Sequence, residues 1–122
     1  MELTTEEQKI RDILIRLANE SATISYSDMC IELGDSYDQN NPTKMEEFYK
    51  ELSNVAVADF KLSKSLLSVV VVSERKGYPG DGFFTLAKDK GKFNGSENKT
   101  NQVVFFVNEL RSVFKFWQNN MV

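Results

Sequence analysis

The sequence predicts a helix-dominated α+β domain. Three observations carry that reading: apolar residues at helical spacing behind capping boxes, one β-branched strand, and a loop rich in glycine and proline that follows it. With 122 residues the chain has the length of one domain, so residues 1–122 are read as a single unit.

Thr4 and Glu7 have the spacing of a capping box, and Ile10, Ile13, Leu14, Leu17 and Ala18 recur on one face. Together they predict a helix over 5–19. "TIS" (Thr23 to Ser25) favours β structure but is too short for more than a bridge. In "SYSDMCIELG" either Ser25 or Ser27 can cap a short second helix, with Met29, Cys30 and Leu33 inward and Gly34 at its end. "DSYDQNNP" (35–42) is a turn-rich loop whose final proline suits a helix entrance, and Thr43 with Glu46 forms a second capping box. Met45, Phe48, Tyr49, Leu52, Val55 and Ala56 extend a third helix from 43 to at least 54. Beyond that point "VAVADFKL" (55–62) also alternates like a strand.

"KSLLSVVVVSE" is β-branched and apolar on both faces, which predicts a central strand. After the loop, "FFTLAKDKG" predicts a short helix closed by Gly91, and "KFNGSENKTNQ" a polar connection. Thr100 or Asn101 then opens a long last helix with Val103, Phe106, Val107, Leu110, Val113, Phe114 and Trp117 inward. The order helix, bridge, short helix, turn, longer helix, strand, loop is that of a winged helix-turn-helix. Residues 5–85 would form that part and 83–120 the C-terminal helices, with the helix at 43–57 facing a groove.

Composition narrows the function classes. Hydrophobic residues make up 41% and charged residues 27%, values of ordinary globular domains. No apolar run reaches the ~18 residues of a membrane span, and the acidic start "MELTTEEQK" is unlike a secretion signal, so a cytoplasmic setting without a membrane partner is expected. One cysteine and no histidine exclude an internal disulfide, a Cys/His zinc site and every His-dependent nucleophile. No cofactor is expected. The net charge of −3 counts mildly against a nonspecific nucleic-acid binder, because such affinity comes from neutralising phosphates.

Two segments resemble small uncharacterised bacterial and phage-type proteins. They are "ISYSDMCIELG" (Ile24 to Gly34) and "LLSVVVVSERKGYPGDGFF" (Leu66 to Phe84), set against a pattern like "ITYgeLa..LG … LtalVVnk.tGlPGeGFf". The resemblance spans roughly residues 10–90 and implies no activity. More distantly, the element order is similar to the winged-helix domain of alkyltransferase-like proteins. There the corresponding strand carries a Pro-Cys-His-Arg motif, whereas this chain has Val72, Ser73, Glu74 and Arg75, so alkyl transfer is not implied.

The loop "GYPGDGFF" reads first as a rigid connection. Gly77 and Gly80 can supply positive φ, Pro79 presets the turn, and Gly82 would let the chain pass close to another backbone. It matches no phosphate-binding glycine motif, and Asp81 would repel a phosphate. A wing contact with nucleic acid or another partner would use Arg75, Lys76, Tyr78 and Asp81 from the loop, Lys88 and Lys90 beyond it, and Lys44 and Lys50 from the third helix. That helix also carries Glu46, Glu47 and Glu51 and no arginine to fork onto guanine. Glu74 and Lys76 with Asp59 upstream make a Mg²⁺-nuclease pattern, if Asp59 lies on a strand beside 69–72. Cys30, between Met29 and Ile31, reads as a buried core residue. Phe105, Phe116 and Trp117 give the last helix more aromatic surface than one buried face needs, which suggests a partner surface or a homodimer.

The reading is thus a non-enzymatic binding module of winged-helix type, either nucleic-acid-binding or regulatory. The alternative is a protein-interaction module, an inhibitor or accessory protein using an acidic face and the aromatic last helix.

Overall fold

The computed structural model describes residues 3–34, 40–94 and 98–119. Residues 35–39 of the 35–42 loop and 95–97 of the polar connection at 92–102 lie outside them. Among the described residues five helices surround a two-stranded sheet: α1 (Thr5–Asn19), β1 (Ile24–Ser25), α2 (Tyr26–Leu33), α3 (Pro42–Ser63), a 3-10 helix (Leu67–Val70), β2 (Val71–Val72), α4 (Asp81–Asp89) and α5 (Lys99–Asn119). The strands are parallel, with Ile24 opposite Val71 and Ser25 opposite Val72. The helix-dominated α+β character expected from the sequence is what forms. No helix among the described residues is long and apolar enough to cross a membrane.

The caps explain most helix starts. Thr4 and Glu7 form the reciprocal capping box of α1, and Ser25 rather than Ser27 caps α2 by accepting from the Asp28 N–H at 3.0 Å. Asn41, not Thr43, caps α3, receiving the N–H groups of Thr43 and Lys44, with Pro42 at the first helical position where its missing N–H costs nothing. α4 starts at Asp81, two residues before the expected Phe83, and α5 at Lys99.

Two larger departures concern the middle of the chain. The stretch 55–62 is helical throughout, because Val55, Ala56 and Asp59 share the buried face of α3, which ends only where Lys64 turns left-handed at φ 60°. The expected central strand is mostly a 3-10 helix. A strand needs a partner for its backbone groups, and among the described residues only Ile24 and Ser25 offer one, so residues 67–70 bond locally instead. Every residue from Ser65 to Val72 is nevertheless buried, with α1, α3 and α5 packed around the 3-10 helix. The valine run reads as core, and its neighbours are helices.

The last helix also corrects an expectation. Trp117 is only 7% exposed, and the Arg11 guanidinium lies 5.5 Å from its ring centroid. Phe105 is half-buried against Phe83, Phe84 and Phe93, and Phe116 lies edge-on to Trp117 at 5.0 Å. Trp117 thus packs on α1, and Phe105 on α4 and Phe93. What α5 exposes is Val104 (56%) and Val107 (38%), the second of which had been expected inward. Buried Glu109 takes an inward position instead, receiving the Leu66 N–H at 2.6 Å and the Lys92 ammonium at 2.8 Å.

Asp59 is a further buried carboxylate, beside Glu109 and Glu7. Arg11 reaches it at 3.2 Å and the Ser63 hydroxyl donates to it at 3.1 Å. Burial pushes its carboxyl above the usual range, against the opposite pull of Ser63 and Arg11. A group that holds its proton more tightly when folded adds stability below its unfolded pKa, and the contribution is lost as pH rises through the folded one. Asp59→Asn removes this titration. Urea unfolding from about pH 7 down to about pH 4 should therefore show the stability difference moving toward the wild type as pH falls. Glu7, held low chiefly by the Thr4 N–H, is common to both proteins and cancels. A flat difference would contradict the raised pKa.

Candidate functional site

The loop that follows β2 is a closed turn. The Ser73 N–H donates to the Tyr78 carbonyl at 2.9 Å, the Gly77 N–H to the Ser73 carbonyl at 2.7 Å, and Gly77 sits at φ +79°, where glycine is favoured. The chain then enters α4 directly, so no strand follows the turn. Arg75 and Lys76 are exposed at its tip, whereas Tyr78 is buried with its ring edge-on to Phe84 at 6.2 Å. Tyr78 is therefore a core residue and not a partner contact; its burial anchors the turn.

The expected basic rim divides. Lys76 approaches the exposed Asp81 carboxylate at 3.8 Å at the start of α4. Lys88 lies seven residues further along, about 10 Å away at 1.5 Å per residue, with its ammonium 5.9 Å from the Phe93 ring. Lys90 is half-buried at the C-cap of α4, and Lys92 turns inward to Glu109 and the Lys64 carbonyl. On α3 Lys44 is half-buried and Lys50 exposed, beside exposed Glu46 and Glu47. The nuclease arrangement does not form: Asp59 is on a helix, held by Arg11 and Ser63, while Glu74 is exposed in the loop. Among the described residues no group of three or more His, Cys, Asp or Glu side chains could hold a metal ion.

What the fold does assemble is a cleft of about 340 Å³ between the first turn of α4 and the middle of α3. Tyr26, Tyr49, Leu52, Phe83 and Leu86 make its apolar walls, and Ser53, Ser68 and the Gly80–Gly82 backbone its polar part. The Gly80 N–H donates to the Tyr26 hydroxyl at 3.0 Å, and the Tyr26 and Tyr49 rings meet edge-to-face at 5.7 Å. Burial pushes the Tyr26 phenol up, partly offset by the Gly80 N–H, so it keeps its proton and can donate it. The chain matches no protein-family model, no curated protein and no solved structure.

Two features give the cleft a donor-rich end. Ser68 is only 5% exposed, yet its hydroxyl makes no hydrogen bond with the described residues and lines the cleft. α4 has no side-chain cap, and the N–H groups of Asp81 and Gly82 stand at its first two positions, where no intrahelical acceptor exists. Of the cleft residues, only Asp81 was legible as a contact. Tyr26, Tyr49, Ser53 and Ser68 were not, although Tyr26 and Gly80 belong to the two segments that carried the sequence resemblance, and those segments meet here.

Proposed function

We propose that the protein is a non-enzymatic binding module that recognises another protein through the cleft between α3 and α4. The observation that carries this reading is the cleft itself: apolar walls with a few convergent polar groups, a volume in the range of binding sites (about 300–1,000 Å³), and Tyr49 half-exposed (49%) at its mouth. Tyrosine suits such a position because it buries large area at little entropic cost. The acidic outer face of α3, with Glu46 and Glu47, favours a protein partner over a polyanion.

Peptides selected from a random display library against the full chain test the reading. Leu86→Glu places a charge in the cleft and should weaken the selected peptides at least ~10-fold, because an unpaired charge is costly to bury. Lys76→Glu, outside the cleft, should leave them within about twofold. Peptides that bind Leu86→Glu equally well would defeat the proposal.

A second reading is favoured by one observation: Lys50, Arg75 and Lys76 are exposed, and the turn at 73–78 has the place of a wing in the helix-turn-helix order. In that reading the chain is a winged-helix nucleic-acid-binding or regulatory module. Fluorescence anisotropy with mixed-sequence duplex and single-stranded DNA at about 50 and 200 mM salt decides it. Binding that falls steeply with salt and is lost in Lys76→Glu, while Leu86→Glu leaves it intact, would put nucleic acid in place of the protein partner.

A further inference from the structure

Two glycines in the cleft are not required by the fold. Gly80 has an ordinary extended backbone (φ −75°, ψ 179°), and a Cβ there would meet only the Tyr26 hydroxyl at 3.6 Å. Gly82 lies inside the first turn of α4 without a left-handed φ, and a Cβ on it would meet nothing within 4 Å. The close backbone approach expected at Gly82 is thus absent among the described residues. Glycine is a poor helix former, so a glycine at this position weakens α4 with no gain in the free protein. Gly82 with open space over its Cα, Asp81 with an N–H that has no intrahelical acceptor, and the largely buried Ser68 all line the same cleft.

We propose that Gly82 leaves room for a main-chain carbonyl of an extended partner segment, received by the Asp81 and Gly82 N–H groups and the Ser68 hydroxyl. The neighbouring apolar or aromatic side chain of that segment fills the space between Tyr49, Leu52, Phe83 and Leu86. This deepens the partner-protein reading and rests on it. The acceptor is uncharged: among the described residues no lysine or arginine lines the cleft, and the Asp81 carboxylate lines it, where it repels an anion. A terminal carboxylate or a phosphate is disfavoured on that ground. Helix-terminal N–H groups with nothing else to bind suit a carbonyl, and recognition of main chain together with one side chain is a recurring mode of peptide capture.

The test is a titration of ¹⁵N-labelled full-length protein with N-acetylphenylalanine amide, and in parallel with the carboxylate N-acetylphenylalanine. Saturable binding of the amide should shift the Asp81 and Gly82 amide resonances, and the carboxylate should bind more weakly. Gly82→Ala should raise the thermal midpoint by ~2–4 °C, since alanine is the better helix former, and still weaken the amide at least ~10-fold. Ser68→Ala should weaken it ~3-fold or more, as loss of one hydrogen bond. Amide binding that leaves Asp81 and Gly82 unmoved, that Gly82→Ala leaves within twofold, or that never saturates overturns the inference. Selected peptides that lose affinity in Leu86→Glu and not in Gly82→Ala would sink this inference alone; indifference to both variants would sink the partner reading with it.

Discussion

Phe84→Ala is expected to lower the unfolding free energy by about 4 kcal/mol, a large share of the ~5–15 kcal/mol total stability typical of a domain. Phe84 is fully buried, and its ring centroid lies 5.2 Å from that of Phe83, 5.5 Å from Phe93, 6.2 Å from Tyr78 and 6.3 Å from Phe105. Truncation removes transfer energy, opens a cavity at the junction of the loop, α4 and α5, and abolishes several aromatic contacts worth ~0.5–1.5 kcal/mol each beyond burial. Guanidinium unfolding should show a large drop in midpoint with little change in slope. Phe84→Leu, which keeps most of the volume, should lose about half as much. A loss below ~1 kcal/mol for the alanine variant would mean that this cluster is not part of the folded core.

Glu109→Ala should cost about 3 kcal/mol by the same measurement, which is unusual for a charged residue on a helix. The cause lies in its two partners. Its carboxylate is the acceptor for the Leu66 N–H and the counter-ion of Lys92, and through Lys92 it reaches the Lys64 carbonyl at the end of α3. Alanine strands a buried N–H and a largely buried ammonium together. Because Lys92 keeps some access to water, the loss falls at the lower end of that for a broken buried pair. Glu109→Gln retains an acceptor for Leu66 and should lose less than Glu109→Ala. Equal losses in the two variants would show that charge, and not the Leu66 bond, accounts for the effect.

Where a segment's own residues decide its conformation, the sequence was a sound guide. Thr4 with Glu7, Ser25 with Asp28 and the apolar spacing of α1 specify their helices locally, since a side-chain cap and an i, i+3, i+4 stripe act within one or two turns. The burial of Cys30 and of the valine run was legible for a similar reason: apolar residues bounded by polar ones have one place to go. Positions 55–62 and 66–72 were less legible. Their patterns fit either helix or strand, and the choice depended on whether a second strand existed to pair with.

The candidate site shows the same division. The glycine, proline and phenylalanine residues from Gly77 to Phe84 mark by themselves a tight turn, a helix start and a core anchor, because those residue types restrict the backbone wherever they occur. That the start of α4 lies against Tyr26 and Tyr49, that Ser68 is buried beside it with no partner, and that Lys92 points inward to Glu109 were decided only by tertiary structure. Each relation joins residues far apart in the chain, and such pairings follow from how the helices pack around the 3-10 segment, a balance of many small contacts that no local pattern records.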